Sequence, residues 1–185
     1  ELLDAQGNAL ALDVHSQHQG FDFLGWNFRK YVPKSIRGKD KLLIKPSKKN
    51  VSAFYRRVRE IITDSGALTQ EALIGQLNPV LRGWAQYHSA AVAKQTFSKL
   101  DHLIFWRIWR WAKRRHPKKS ATWIRKKYFH SISGRNWVFA FPYKNSKAEV
   151  RYRRLYALAD TAIVRHQRHR ATLGACINQA CDVLD

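Results

Sequence analysis

The sequence predicts a mainly α-helical protein followed by a small basic α+β appendage, and three observations lead there. Apolar residues recur at helical spacing through most of the stretch from Val51 to Ala112, the pattern of helices that bury one face. Of 185 residues, 45% are hydrophobic and 12% aromatic, more apolar payload than a disordered chain carries and enough for one domain or two small ones. Against 13 acidic residues stand 34 Lys and Arg, a net charge of +21. Such charge repels itself in a compact body and persists where a polyanion neutralises it, so the expected partner is a nucleic acid.

Taken in order, the polar stretch Gln6 to Gln19 reads as an irregular lead-in. Phe21 to Phe28 sets aromatic residues at 21, 23, 26 and 28 around Gly25, which predicts a strand bending at that glycine. A basic loop, Arg29 to Lys41, follows. Ser47 is the expected N-cap of a helix whose stripe is Val51, Phe54, Tyr55, Val58, Ile61 and Ile62, with Arg56, Arg57 and Arg59 off that face and Asp64-Ser65-Gly66 as its stop. Thr69 caps a short second helix carrying Leu73, Ile74 and Leu77. Asn78-Pro79 reads as a new N-cap that restarts the helix with Val80, Leu81, Trp84 and His88 on one side.

The fourth predicted helix begins at a Thr96 cap, carries Phe97, Leu100, Asp101, Ile104, Phe105, Ile108, Trp109 and Ala112 on its stripe, and ends before Pro117. A shorter helix spans about Ser120 to Tyr128, Gly134-Arg135-Asn136 signals a turn, and Trp137 to Phe141 has strand propensity. Beyond Glu149 the pattern is open: Tyr152, Leu155, Tyr156, Leu158 and Ala159 fit a helix, and Ala162-Ile163-Val164 a short strand.

No run approaches the 18 apolar residues of a membrane span, and the N-terminus lacks a signal-peptide pattern, so the expected location is the bacterial cytosol or nucleoid, with no membrane partner. Two cysteines, Cys176 and Cys181, fit a reducing compartment. The chain contains no Met, which points to a segment of a longer product.

Between His102 and Ala148 the sequence has thirteen Lys or Arg and no Asp or Glu. Arg107, Arg110, Lys113 and Arg114 lie on helical turns opposite an apolar face. They form a basic ridge that Lys118, Lys119 and Arg125 to Lys127 continue. An ordinary solvated helix face interleaves acids for i,i+4 pairing, so the ridge points to nucleic acid. Trp84 and Trp109 are expected in the core, whereas Trp106 and Trp111 sit off the stripe and are the base-stacking candidates. His166, His169, Cys176 and Cys181 are zinc-ligand types, but their spacing departs from paired C-x2-C and arginines surround them, so no metal is expected. No phosphate loop, carboxylate pair or activated nucleophile is present, and Asp22 and Asp101 are isolated, which leaves no expected catalytic residue.

Gly20-Phe-Asp-Phe-Leu-Gly-Trp-Asn-Phe28 resembles the end of the palm of a group II intron reverse transcriptase. Lys45-Pro-Ser-Lys-Lys-Asn50, Leu77 to Tyr87, and Thr96 to Asp101 through Trp109 to Pro117 resemble its maturase-specific domain, also called the thumb or domain X. A fainter similarity through Leu155 to Thr161 and Arg165-His166 extends to the DNA-binding region of that family.

The resemblance implies three parts: a palm end and basic linker over 1–44, a helical thumb-like bundle over 45–130, and a truncated basic DNA-binding-like region over 131–185 without the family's HNH endonuclease. It implies binding of group II intron RNA, promotion of its splicing-competent fold and, with upstream reverse-transcriptase domains, a grip on template and primer. The catalytic palm and its magnesium would lie upstream, so this stretch is expected to be non-enzymatic and to hold no cofactor. The expected RNA-contacting cations are Lys48, Lys49, Arg56, Arg57, Arg82, Arg107, Arg110, Lys113, Arg114, Arg115, Lys118, Lys119, Arg125, Lys126 and Lys127. Arg165, His166, Arg168 and Arg170 are the expected DNA contacts. The competing readings are a module that binds target DNA and a zinc-dependent nuclease.

Overall fold

The computed structural model describes residues 20–31 and 41–164. About half of these are helical and two small sheets accompany the helices, so the mainly α expectation is met only loosely. Four helices, α1 (Lys48–Asp64), α2 (Gln70–Tyr87), α3 (Lys94–Arg115) and α4 (Ala121–Tyr128), separate two three-stranded antiparallel sheets along the chain. The first sheet holds β1 (Phe21–Phe23), β2 (Trp26–Tyr31) and β3 (Lys41–Pro46) in that order, the second β4 (Phe129–Ile132), β5 (Arg135–Lys144) and β6 (Val150–Arg154). No described helix is long and apolar enough to cross a membrane. The lead-in through Gln19, the centre of the basic linker, and everything from Arg165 onward lie outside the described residues.

The aromatic segment expected to be one bent strand is a hairpin. Phe23 pairs with Trp26, leaving Leu24 and Gly25 as a two-residue turn with φ of 46° and 81°, the type I′ geometry that suits strand twist. A bend and a reversal place aromatic side chains with the same period, so spacing alone does not separate them. Strand β2 runs into the stretch read as a basic loop as far as Tyr31, and just beyond that stretch Leu42, Leu43 and Ile44 of β3 pair with Lys30, Arg29 and Phe28.

This sheet is sewn to the helices at one joint. Ser47 N–H donates to Gly25 O at 2.9 Å and Val92 N–H to Ile44 O at 2.9 Å, while Tyr87 hydroxyl donates to Leu24 O at 2.6 Å and accepts from Trp26 Nε1 at 3.0 Å. A β-carbon at Gly25 would lie 2.7 Å from Asn50 Nδ2, on a backbone that already demands positive φ. Gly25→Ala is therefore expected to destabilise by about 1–3 kcal/mol. Gly83→Ala, an exposed site within α2 where a β-carbon meets nothing, should instead stabilise by roughly 0.5–1 kcal/mol. Paired urea denaturations read both.

Under the joint, His88 is wholly buried among the rings of Trp26, Trp84 and Tyr87. Trp84 Nε1 can only donate, so the Asn50 oxygen 2.8 Å away is the acceptor. His88 Nε2, 3.0 Å from the same oxygen, therefore carries the ring proton, and Nδ1 has no partner. Burial lowers the His88 pKa from 6.5 to about 4. Below pH 6.5 the unfolded chain binds a proton that the folded chain refuses until about pH 4, so stability present above 6.5 is lost as pH falls through this window. The loss is on the order of 3 kcal/mol. Urea titrations across the window should show it, and His88→Gln, which does not titrate, should flatten that part of the profile.

Helix α1 forms as its stripe predicts. Ser47 Oγ accepts from Asn50 N–H, and Phe54, Val58 and Ile62 are buried. Thr69 caps α2 through Ala72 N–H, and Leu73, Ile74, Leu77, Leu81 and Ala85 join the same core; each fully buried large apolar side chain contributes roughly 1.5–3 kcal/mol.

Two helix starts differ from expectation. Helix α2 runs without restart through Pro79. Gly75 and Pro79 are both exposed, so the carbonyl that Pro79 leaves without a donor is on the solvent side. Asn78, instead of capping, uses its amide to bind Arg154 O at 3.1 Å and Tyr156 N–H at 2.8 Å. Helix α3 starts at Lys94, ahead of the expected Thr96 cap, and Ala93 in the N-cap position offers no side-chain acceptor. Tertiary contact fixes this start instead: Ala93 is buried, and Lys94 Nζ donates to Ala159 O at 2.8 Å and Thr161 O at 2.7 Å.

The second sheet shares the helical core through Phe129 and Phe139. Gln70 Nε2, on the first turn of α2, donates to Tyr128 O and Ala140 O, both at 3.0 Å. The turn falls at Ser133-Gly134, with φ of 50° and 75°, one residue before the predicted one. Between the pairs His130↔Val138 and Ile132↔Arg135, β5 uses one residue more than β4, a bulge that gives Trp137 a φ of 64°. The helix allowed beyond Glu149 is instead β6 and a 3-10 turn, Leu158–Asp160, and Ala162 to Val164 form no strand. That turn is pinned by Asp101, whose two carboxylate oxygens each accept a backbone N–H, from Leu158 and Ala159, at 2.9 Å. Burial raises the Asp101 pKa, and the two N–H bonds oppose the rise.

Candidate nucleic-acid interface

On α3, positions 107, 110, 111 and 114 recur at three- and four-residue spacing and so share one side of the helix. Arg107, Arg110, Arg114 and Arg115 line a cleft of about 170 Å³ whose remaining wall is Trp111 together with Ile62, Thr63 and Gly66 from the end of α1 and the turn behind it. No carboxylate lines it. Arg107 Nε donates to Tyr55 hydroxyl at 3.2 Å and Arg110 Nε to Trp106 O at 3.3 Å, which positions both guanidinium groups while leaving terminal N–H groups for a ligand.

Arg115 is committed differently. Its Nη1 donates to Gly66 O at 3.2 Å and to Leu68 O, and its guanidinium lies 4.8 Å from the Trp111 ring centre. It closes the end of α1 more than it faces solvent.

The ion pairs among the described residues are Arg57–Glu60, Arg135–Asp160, Arg151–Glu149, Arg153–Glu71 and Arg154–Asp160. None involves a cation of α3 or α4. His116, between the two helices, has its pKa lowered, first by desolvation and then by the charges of Lys127, Arg115 and Lys119. The uncompensated positive field is thus felt by a neighbouring titratable group.

Lys113, Arg114, Lys118, Lys119, Arg125, Lys126 and Lys127 are exposed, as are Lys48, Lys49, Arg56 and Arg82. Arg57 is exposed but shares its charge with Glu60 at 3.9 Å, and Arg82 stacks 5.4 Å from the Tyr156 ring centre. Lys119 and Lys127 both sit over Trp123, at 5.6 and 4.8 Å.

The tryptophans need one correction. Trp111, expected off the stripe, is 5% exposed; its Nε1 donates to Ser65 O at 2.9 Å and its ring packs edge-on against Tyr128 and Phe139. It lies three residues past buried Ile108 and so belongs to the stripe, and it is no stacking candidate. Trp109, expected in the core, is only partly buried at the core's edge, against Phe129 and Trp137. Trp106 is 46% exposed, its Nε1 donating to His102 Nε2 at 3.0 Å.

Sequence reasoning missed the roles of Tyr55 and Trp137, the first counted as core and the second only as a strand former. Their proximity to arginines of other elements had no local signal. Arg165, His166, Arg168 and Arg170, with the His169, Cys176 and Cys181 set, lie outside the described residues. Among those described, no three His, Cys, Asp or Glu come together to hold a metal.

A helical scaffold presenting a cationic side free of carboxylates, with exposed indole rings beside it, has the physical signature of a polyanion-binding domain. Residues 51–129 match the family model of the group II intron, maturase-specific domain. The chain is 32% identical over 88 residues to the Maturase-like protein 1 of Euglena longa, and 36% identical over 75 residues to the Maturase-like protein 1 of Euglena gracilis. These segments cover 46% and 40% of this chain but only 18% and 15% of the two relatives.

Proposed function

We propose that this protein acts as a maturase in group II intron splicing, its helices forming a thumb that grips the folded intron RNA by its phosphates. The observation that carries the reading is the arginine-lined cleft of α3, which brings four guanidinium groups together without a carboxylate. Packing intron domains crowds phosphates against one another, and cations held at fixed positions favour the packed RNA over looser forms by differential affinity. The work is binding energy rather than chemistry, so no catalytic residue and no cofactor is assigned. The division into a palm end and linker (1–44), thumb (45–130) and DNA-binding-like region (131–185) belongs to this proposal, as do the upstream reverse-transcriptase partner and the cytosolic location.

The test is binding of the purified chain to a self-folding group II intron RNA, to duplex DNA of equal length, and a splicing assay at magnesium concentrations too low for the RNA alone. Tighter binding of the intron RNA and faster splicing are expected. Preference for the DNA duplex, with no effect on splicing, would make this a target-DNA module instead.

A further inference from the structure

We propose that the Arg125–Trp137 pair is a stacking site for an unpaired RNA base, an inference that rests on the RNA-binding reading above. Trp137 occupies the bulge of β5 with a φ of 64°, a left-handed conformation that a residue with a bulky side chain adopts at a cost and that Gly or Asn would adopt with less strain. What the strained backbone achieves is to leave the indole 43% exposed at the sheet margin. From below, the ring is held by Phe105, Trp109 and Phe129, with centroids 5.7–6.3 Å away. It is therefore presented without the entropy loss of an unsupported side chain.

Arg125, in the last turn of α4, places its guanidinium 4.9 Å from the Trp137 ring centre and is itself exposed. A planar cation lying over an indole extends the π surface and adds a charge for the phosphate that accompanies any base. Trp106, the exposed indole of α3, touches Phe105, so it and Trp137 share one supporting phenyl. No acidic residue occurs from Leu103 to Lys147, the stretch that supplies every one of these groups. Charge complementarity therefore selects a nucleic acid over an acid-poor protein surface, and exposed flat rings select an unpaired base over a duplex.

The experiment uses three RNA hairpins that share one stem: fully paired, with a single bulged adenosine, and with an abasic bulge. The parent protein is expected to bind the adenosine bulge about tenfold tighter than the abasic one. Arg125→Lys keeps the charge but loses the plane, so it should erase that preference, bringing the adenosine-bulge and abasic affinities together. Trp137→Ala should do the same, with a thermal melt to confirm folding. Parent binding that ignores the bulged base, full preference retained in folded Arg125→Lys, or equal weakening on all three hairpins each overturns the stacking site while the phosphate-gripping reading stands. Failure to bind any hairpin or the intron RNA overturns both.

Discussion

Trp111→Ala is expected to lower the unfolding free energy by about 3–5 kcal/mol, a large share of what a domain of this size has in reserve. Three losses combine. The indole is 5% exposed and fills the space between the turn behind α1, α4 and β5, so truncation leaves a cavity. Its Nε1–H is the donor to Ser65 O, and that carbonyl loses its side-chain partner. Arg115, stacked on the ring while bonding Gly66 and Leu68 carbonyls, loses its support. Trp106→Ala, by contrast, removes a ring 46% exposed and should cost under about 1 kcal/mol. Urea denaturation of the two variants checks the contrast, and a larger loss in Trp106→Ala would mean that the exposed and buried sides of α3 are exchanged.

Replacing Arg107, Arg110 and Arg114 together by Gln should leave the fold standing and cut RNA affinity. Gln is a good helix former, and of these three only Arg107 bonds a side chain of another element, Tyr55. If each guanidinium neutralises a phosphate, the slope of log K against log salt becomes shallower by about 0.7–0.9 per residue, or about 2–3 in all. Near 0.1 M salt that amounts to roughly two orders of magnitude in affinity, taking about 1 M as the salt at which the contacts vanish. Phosphate contacts position without reading sequence, so RNAs of different sequence should lose alike. A salt titration with circular dichroism as the folding control is sufficient. Coinciding slopes for two folded proteins would reduce the cleft to an ordinary solvated surface.

Much of this was legible because it is local. The stripe Phe54, Val58, Ile62 and the caps Ser47 and Thr69 depend on residues within four positions of one another, and the structure keeps them. The acid-free run from Leu103 to Lys147 is likewise a property of the chain. The hairpin at Gly25 was misread because a bend and a reversal share one side-chain period, and β3 drew no reading because its short apolar centre, Leu42 to Ile44, sits between lysines.

By itself the sequence determined that this is a strongly cationic protein with amphipathic helices, because charge count and helical period need no third dimension. Tertiary structure alone decided which of neighbouring residues were used. Pro79 stays inside α2 because Asn78 is bound to Arg154 and Tyr156, far along the chain. Trp111 is buried and Trp106 exposed because α3 is covered by α1 on one side and by α4 and the second sheet on another. Arg125 meets Trp137 only because β5 bulges there. The physical reason is common to all three: a helix or strand pattern specifies a face, but how wide that face is, and what lies across from it, depends on partners that local spacing does not encode.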